Sequence, residues 1–290
     1  ENPAIRFHLL PMAANGLTDA LYIKMNSRGK PLTPFENFKA HFEDVLKKVH
    51  VDLANDFANK VDTDWSNILW PYKGEDHLID DEFMRYFRFI TEVCAWKNGI
   101  VFKDSDRTED LAERVFAVEA TNAVADLTFH NRAWDVWKER EVKAEFERML
   151  TAEPIRASTA LLMFNPIKDE GVDLFHACCR HHGTRQWTLP HTLLLYGALL
   201  ALMHKIPEAV FPKRLRILRN LIEASGAEIR AGERNNMPKL LVEVEQIIVQ
   251  GNLTGVSTFN QVQVRNEGDK AAMLDASPTL APILSRLEDH

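Results

Sequence analysis

Arg28, Gly29 and Lys30 follow Asn26 and stand just ahead of Thr33-Pro34-Phe35-Glu36. That order of residue types suits an anion. Thr33, Pro34 and Glu36 fit the N-cap, first and third positions of a helix, with proline where its missing N–H costs nothing. A helix start presents unpaired N–H groups and a partial positive charge, and Arg28 and Lys30 add two formal charges within reach of a phosphate seated there. Gly29 permits close approach of the backbone. The competing reading is a joint between two helices, with Asn26 capping the first, Gly29 taking a positive φ, and Arg28 and Lys30 solvated.

A second basic feature lies from His204 to Leu240, where eight Lys or Arg residues face four Glu. Arg214, Arg216 and Arg219 are its densest part, and Arg216 and Arg219 fall on neighbouring turns able to share one phosphate, which suits a nucleic-acid contact. Against it stand an ordinary solvated helix face and intramolecular pairing with acid-rich helices. The cluster His176-Ala177-Cys178-Cys179-Arg180-His181-His182 gathers zinc-type ligands, but no C-x-x-C or second distant pair completes a tetrahedral set, and no metal site is expected. Its cysteines read as small buried hydrophobes. The acidic groups Asp80-Asp81-Glu82 and Glu109-Asp110 read as helix-start charges, and Trp65, Trp70, Trp134 and Trp137 as members of apolar faces.

These residues need elements to position them. Phe35, Phe38, Phe42, Val45, Leu46 and Val49 share one side of the helix that starts at Thr33, and Phe83, Phe87, Ile90 and Cys94 share one side of a helix over 81–97. Further helical patterns cover 18–26, 109–126, 132–150, 188–204, 213–225, 238–250 and 277–289, while Ile5-Arg6-Phe7-His8-Leu9 alternates like a strand. Leu215, Leu218, Leu221 and Ile222 line one helix stopped by Gly226; Leu240, Leu241, Val244, Ile247 and Ile248 line another stopped by Gly251. The fold class expected is mainly α, an irregular multi-helix bundle, with residues 1–32 ending a truncated α/β part and 33–290 forming one continuous helical body. No fixed-period repeat supports a solenoid.

Composition narrows the classes further. The 290 residues are 46% hydrophobic and 27% charged, enough for a large core, and the net charge of −7 argues against a surface that coats nucleic acid generally. Three cysteines make no secreted disulfide framework, so the cytoplasm is expected. The apolar run Leu189 to Met203 is too short to span a bilayer, and no membrane partner is expected. Glu1 at the first position, an unpartnered strand pattern and a helical pattern running to His290 predict that N-terminal and C-terminal parts of the same protein are the nearest partners. No Walker loop, Rossmann fingerprint or Ser-His-Asp order is present.

The phrase from Leu21 to Lys39, with Asn26, Gly29, Leu32 and Lys39 at their spacings, resembles the N-x-x-G-x-x-L segment of the N-terminal domain of GmrSD-type restriction systems, domain of unknown function 262. Looser likeness runs through Arg214 to Glu223 and Asn236 to Leu241, as far as Leu287-Glu288-Asp289-His290. The resemblance implies a ParB/sulfiredoxin-like fold upstream, of which this chain is the helical part, in a prokaryotic defence protein that binds a nucleoside triphosphate with Mg in its full-length form and acts on DNA. The Asp-Gly-Gln-Gln-Arg signature of the family is missing, and His130-Asn131 lacks the spacing of a His-Asn-His nuclease. The resemblance therefore implies a fragment that holds phosphate through Asn26, Arg28, Gly29 and Lys30, carries no cofactor by itself and is inactive alone. A non-catalytic helical scaffold or protein-interaction module is the alternative.

Overall fold

A computed structural model describes residues 33–153, 160–164, 166–167 and 170–276. The strand pattern at 5–9, the helical patterns at 18–26 and 277–289, and the loop 26–30 fall outside them. The chain divides into two compact units, Glu1–Ala40 and His41–His290. The described residues are mainly helical: α1 (Pro34–Val49), α2 (Val51–Val61), α3 (Asp64–Leu69), α4 (Asp80–Lys97), α5 (Thr108–Phe116), α6 (Ala123–Asp135), α7 (Val142–Met149), α8 (Leu174–His181), α9 (Leu189–Met203), α10 (Phe211–Ala224), α11 (Met237–Glu245) and α12 (Gln261–Ala276). One two-strand parallel sheet joins β1 (Leu150–Thr151) to β2 (Leu161–Leu162).

Helix starts follow local chemistry. Thr33 and Glu36 form the reciprocal box: Thr33 N donates to Glu36 Oε2 at 2.7 Å and Glu36 N donates to Thr33 Oγ1 at 3.2 Å. Pro34, Pro190, Pro212 and Pro238 all occupy the first or second position of their helices, where no intrahelical donor is lost. Thr188 and His191 repeat the reciprocal arrangement at the head of α9.

Two helices are central. On α4 the expected stripe of Phe83, Phe87, Ile90 and Cys94 is buried, and so are Tyr86, Phe89, Val93 and Trp96, because the helix packs against α5, α6, α8 and α11. Helix α9 is apolar all round and packs against α6, α8, α10 and α11. Gly197 lets α10 approach it, since a Cβ there would collide with the buried Leu218. Around α4 an aromatic core gathers Phe42, Phe57, Trp65, Phe87, Phe116 and Trp134. His130 sits inside it, its Nδ1 3.0 Å from Asn131 Oδ1, and burial pushes its pKa down to about 4. A neutral imidazole is the form that such a setting tolerates.

Several expected boundaries are corrected. The pattern over 109–126 breaks at Ala117, which is extended (ψ 153°), and the chain restarts as α6. The pattern over 132–150 is the end of α6 and all of α7, separated by a turn in which Glu139 takes φ 62°. Asp135 is the last residue of α6, and its carboxylate accepts from Lys60 Nζ at 2.7 Å and Trp65 Nε1 at 3.1 Å. Trp65, Trp134 and Trp137 are buried as expected, but Trp70 is 56% exposed in a short 3-10 turn, with Lys73 over its ring. Helices α2, α3, α8 and α12 add to those read from periodicity.

Gly251 closes the π-helical turn Gln246–Gln250 that continues α11, a stop the sequence predicts, in the left-handed region at φ 73°. Its missing side chain has a second purpose. Arg214 Nη1 donates to the Ile248 and Val249 carbonyls at 2.7 and 3.0 Å, and a Cβ on residue 251 would lie 2.5 Å from Arg214 Nη2. Gly251→Ala combines left-handed strain with displacement of that guanidinium and is expected to cost about 2 kcal/mol. Urea unfolding of the variant beside Gly226→Ala, whose position is open, checks it.

Candidate functional site

Helix α1 begins where the anion reading requires, with Glu36 occupying one of its free N–H groups. Asn26, Arg28, Gly29 and Lys30 lie outside the described residues. The three arginines of the second basic feature are described, and each finds acceptors within the chain. Arg214 caps the π-helical turn that continues α11, as above. Arg216 Nη2 stands 3.4 Å from Glu267 Oε2, a carboxylate with no exposed side-chain surface. Arg219 Nε donates to the Leu162 carbonyl at 2.8 Å, while its Nη1 pairs with Glu223 and contacts Asn220 Oδ1 at 3.1 Å. A phosphate shared by Arg216 and Arg219 would have to compete with these partners.

The His-Cys cluster is divided by α8. Cys178 and Cys179 are fully buried, and burial pushes both thiols well up, so they are inert packing groups. His182 turns to Glu92, with Nε2 3.2 Å from Oε2, in a buried group completed by Arg88. His176 and His181 turn instead to Glu170, at 2.5 Å (Nδ1 to Oε2) and 3.4 Å (Nε2 to Oε1). Among the described residues no three His, Cys, Asp or Glu side chains are placed to hold a metal ion.

Asp173 and Tyr72 complete this second constellation. Asp173 caps α8 by accepting from His176 N at 2.9 Å, and it accepts from Tyr72 Oη at 3.3 Å. The Tyr72 ring stacks on His176 with centroids 4.4 Å apart. Burial raises the Asp173 carboxyl to about 6, opposed by the His176 and Phe175 N–H groups and the Tyr72 hydroxyl and assisted by the charge of Glu170. Burial also pushes His176 down to about 4, helped by Arg180, His181 and Lys143, so its ring is neutral at pH 7. Glu170 and Asp173 line a cavity of about 390 Å³ together with Lys143, Glu147 and Thr151.

No family model, curated protein or solved structure matches this chain.

Sequence reasoning singled out His176 and His181 but missed Tyr72, Glu170 and Asp173. A signal for Asp173 was available. Asp three residues before His176, at the head of an apolar pattern, is an N-cap spacing. Nothing local marks Tyr72, which meets Asp173 from 101 positions away, and Glu170, six positions before His176, stands at no capping or ligand spacing.

Proposed function

We propose that this chain is the helical part of a GmrSD-like prokaryotic defence protein, and that it contributes to binding the phosphates of a nucleoside triphosphate through Asn26, Arg28, Gly29 and Lys30. The carrying observation is the Thr33–Glu36 box. It fixes the first turn of a 16-residue helix, and in the sequence the basic residues 28 and 30 stand a few positions ahead of that N-terminus and its dipole. In the full-length protein the nucleotide would arrive with Mg, DNA would be the polymer acted on, and the cytoplasm the compartment. Catalysis would rest with upstream residues, and the helical body would serve as the support.

A non-catalytic helical scaffold is the second reading. What favours it is the inward use of Arg214, Arg216 and Arg219, the groups otherwise best suited to a polymer of phosphates. Both readings accommodate the absence, among the described residues, of a helix long and apolar enough to cross a membrane.

Titration of the full-length protein with GTP and with ATP, in Mg, separates them. The first reading expects saturable binding that Arg28→Ala weakens about tenfold to a hundredfold, the worth of a charged hydrogen bond to phosphate. No binding by the full-length protein, or binding indifferent to Arg28→Ala, leaves the scaffold.

A further inference from the structure

Asn98-Gly99 is the one Asn-Gly pair among the described residues. In such a pair the backbone nitrogen after the asparagine meets no Cβ on its way to the side-chain amide, which makes the amide open to attack. The pair ends α4: Asn98 is the C-cap (φ −90°, ψ 0°), and Gly99 turns left-handed at φ 67° with open space where a side chain would stand.

Both ends of the Asn98 amide are held. Its Nδ2 donates to Asp126 Oδ2 at 2.5 Å and its Oδ1 accepts from Asn122 Nδ2 at 2.7 Å, so the side chain latches the end of α4 to the start of α6. Gly99 N donates to the Trp96 carbonyl at 3.1 Å. A ψ of 0° sets that nitrogen beside the nitrogen of Asn98 itself, and tetrahedral geometry then turns Cβ, with the amide, away from it. Attack must wait until these hydrogen bonds break and ψ rotates. Asp126 is 8% exposed, and Lys97, whose charge reaches it, is engaged with Glu245 at 3.7 Å. A carboxylate at position 98 would replace a donor with a second negative charge against Asp126.

We propose that Asn98 is a deamidation site gated by the fold, protected while the latch to α6 is closed and converted, once the end of α4 opens, to an acid that opposes reclosure. The step needs only water. Gly99 N loses its proton and bonds to Asn98 Cγ, the Cγ–Nδ2 bond breaks and ammonia leaves; water then opens the five-membered imide to aspartate or isoaspartate, with no change of oxidation state. Because α4 packs against α5, α6, α8 and α11, a molecule that has opened there keeps a lasting mark at a central helix. The site is separate from the nucleotide reading and survives its failure.

Trypsin releases residues 98–103 as one peptide, bounded by Lys97 and Lys103, and chromatography with mass spectrometry separates its asparagine, aspartate and isoaspartate forms. In the full 290-residue chain, conversion is expected to run on the order of tenfold or more slower in native buffer than in urea at the same pH, since it waits on local opening. Asp126→Ala cuts the latch and should speed native conversion about threefold to tenfold, the worth of one hydrogen bond. Asn122→Ala, at an exposed position, should do the same and decides the matter if the Asp126→Ala protein does not fold. Asn98→Asp should lower the urea midpoint, and combining it with Asp126→Asn, which again sets one donor against one carboxylate, should recover most of the loss. Equal rates in native buffer and urea, a native rate unchanged in whichever latch variant folds, or a midpoint that Asn98→Asp leaves in place or that the paired exchange fails to recover, would overturn the proposal.

Discussion

Trp134→Ala is expected to remove about 4 kcal/mol of stability, near the upper end for a large aromatic taken from a core. The indole has no exposed surface and stacks on Trp65 and Phe83, with centroids 5.3 and 4.7 Å away, while meeting the Tyr86 ring edge-on at 4.7 Å. Neighbours held on two other helices, α3 and α4, cannot collapse into the space, so most of a tryptophan's volume remains as cavity. Against a total stability of roughly 5–15 kcal/mol this loss leaves little margin. Trp134→Phe should cost much less, for two reasons. It keeps a ring in the stack, and it removes an indole N–H that is buried with no acceptor, a group the fold carries at a penalty. Urea unfolding followed by far-ultraviolet circular dichroism measures both, and a Trp134→Phe loss equal to that of Trp134→Ala would contradict the stacking argument.

Glu243→Ala is expected to cost about 3–5 kcal/mol, through backbone donors rather than volume. Glu243 lies on α11 and is nearly buried. Its Oε1 accepts from Ser257 N and Thr258 N, each at 2.8 Å, and its Oε2 from Phe259 N at 3.3 Å. One carboxylate thereby fixes the segment that delivers Phe259 to the core and starts α12. Asn260 secures the same junction, with its N donating to Ser225 Oγ at 2.9 Å and its Oδ1 accepting from Val262 N and Gln263 N. Alanine leaves three N–H groups without their acceptor. Glu243→Gln, which keeps one carbonyl oxygen, should lose about half as much. Hydrogen exchange at residues 257–259 should accelerate in step with the loss; exchange unchanged there would remove the carboxylate from this role.

Legibility in the sequence follows the range of the interaction. The helix opened by Thr33 and Glu36, the stripe Phe83, Phe87, Ile90 and Cys94 and the stop at Gly251 depend on residues a few positions apart, and each stands in the structure as periodicity and capping rules require. Where periodicity over-ran, the backbone itself turns, extended at Ala117 and left-handed at Glu139. At the end of α6, Lys60 and Trp65 claim the Asp135 carboxylate from some seventy residues away. Helix α12 has little apolar patterning, and its start is secured partly from Ser225.

Charge shows the same division. Arg214, Arg216 and Arg219 form a basic run in the sequence, but their guanidinium groups meet Ile248, Glu267 and Leu162, partners 34, 51 and 57 positions distant, which composition does not reveal. Conversely, His176 and His181 look like metal ligands on paper, yet in three dimensions they flank a carboxylate and leave the neighbouring cysteines in the core.

The amino-acid order alone settled that the described chain is helical, and where several helices begin and end, since hydrogen bonds to a helix end and the facing of apolar residues are fixed within a turn or two. Tertiary packing alone decided which of the described charges are paired inside the fold, because burial and the company of a charge depend on segments remote along the chain. Arg216 is the clearest case: a basic residue on a helix by sequence, it stands 3.4 Å from the buried Glu267, 51 positions away, only once α10 and α12 pack together.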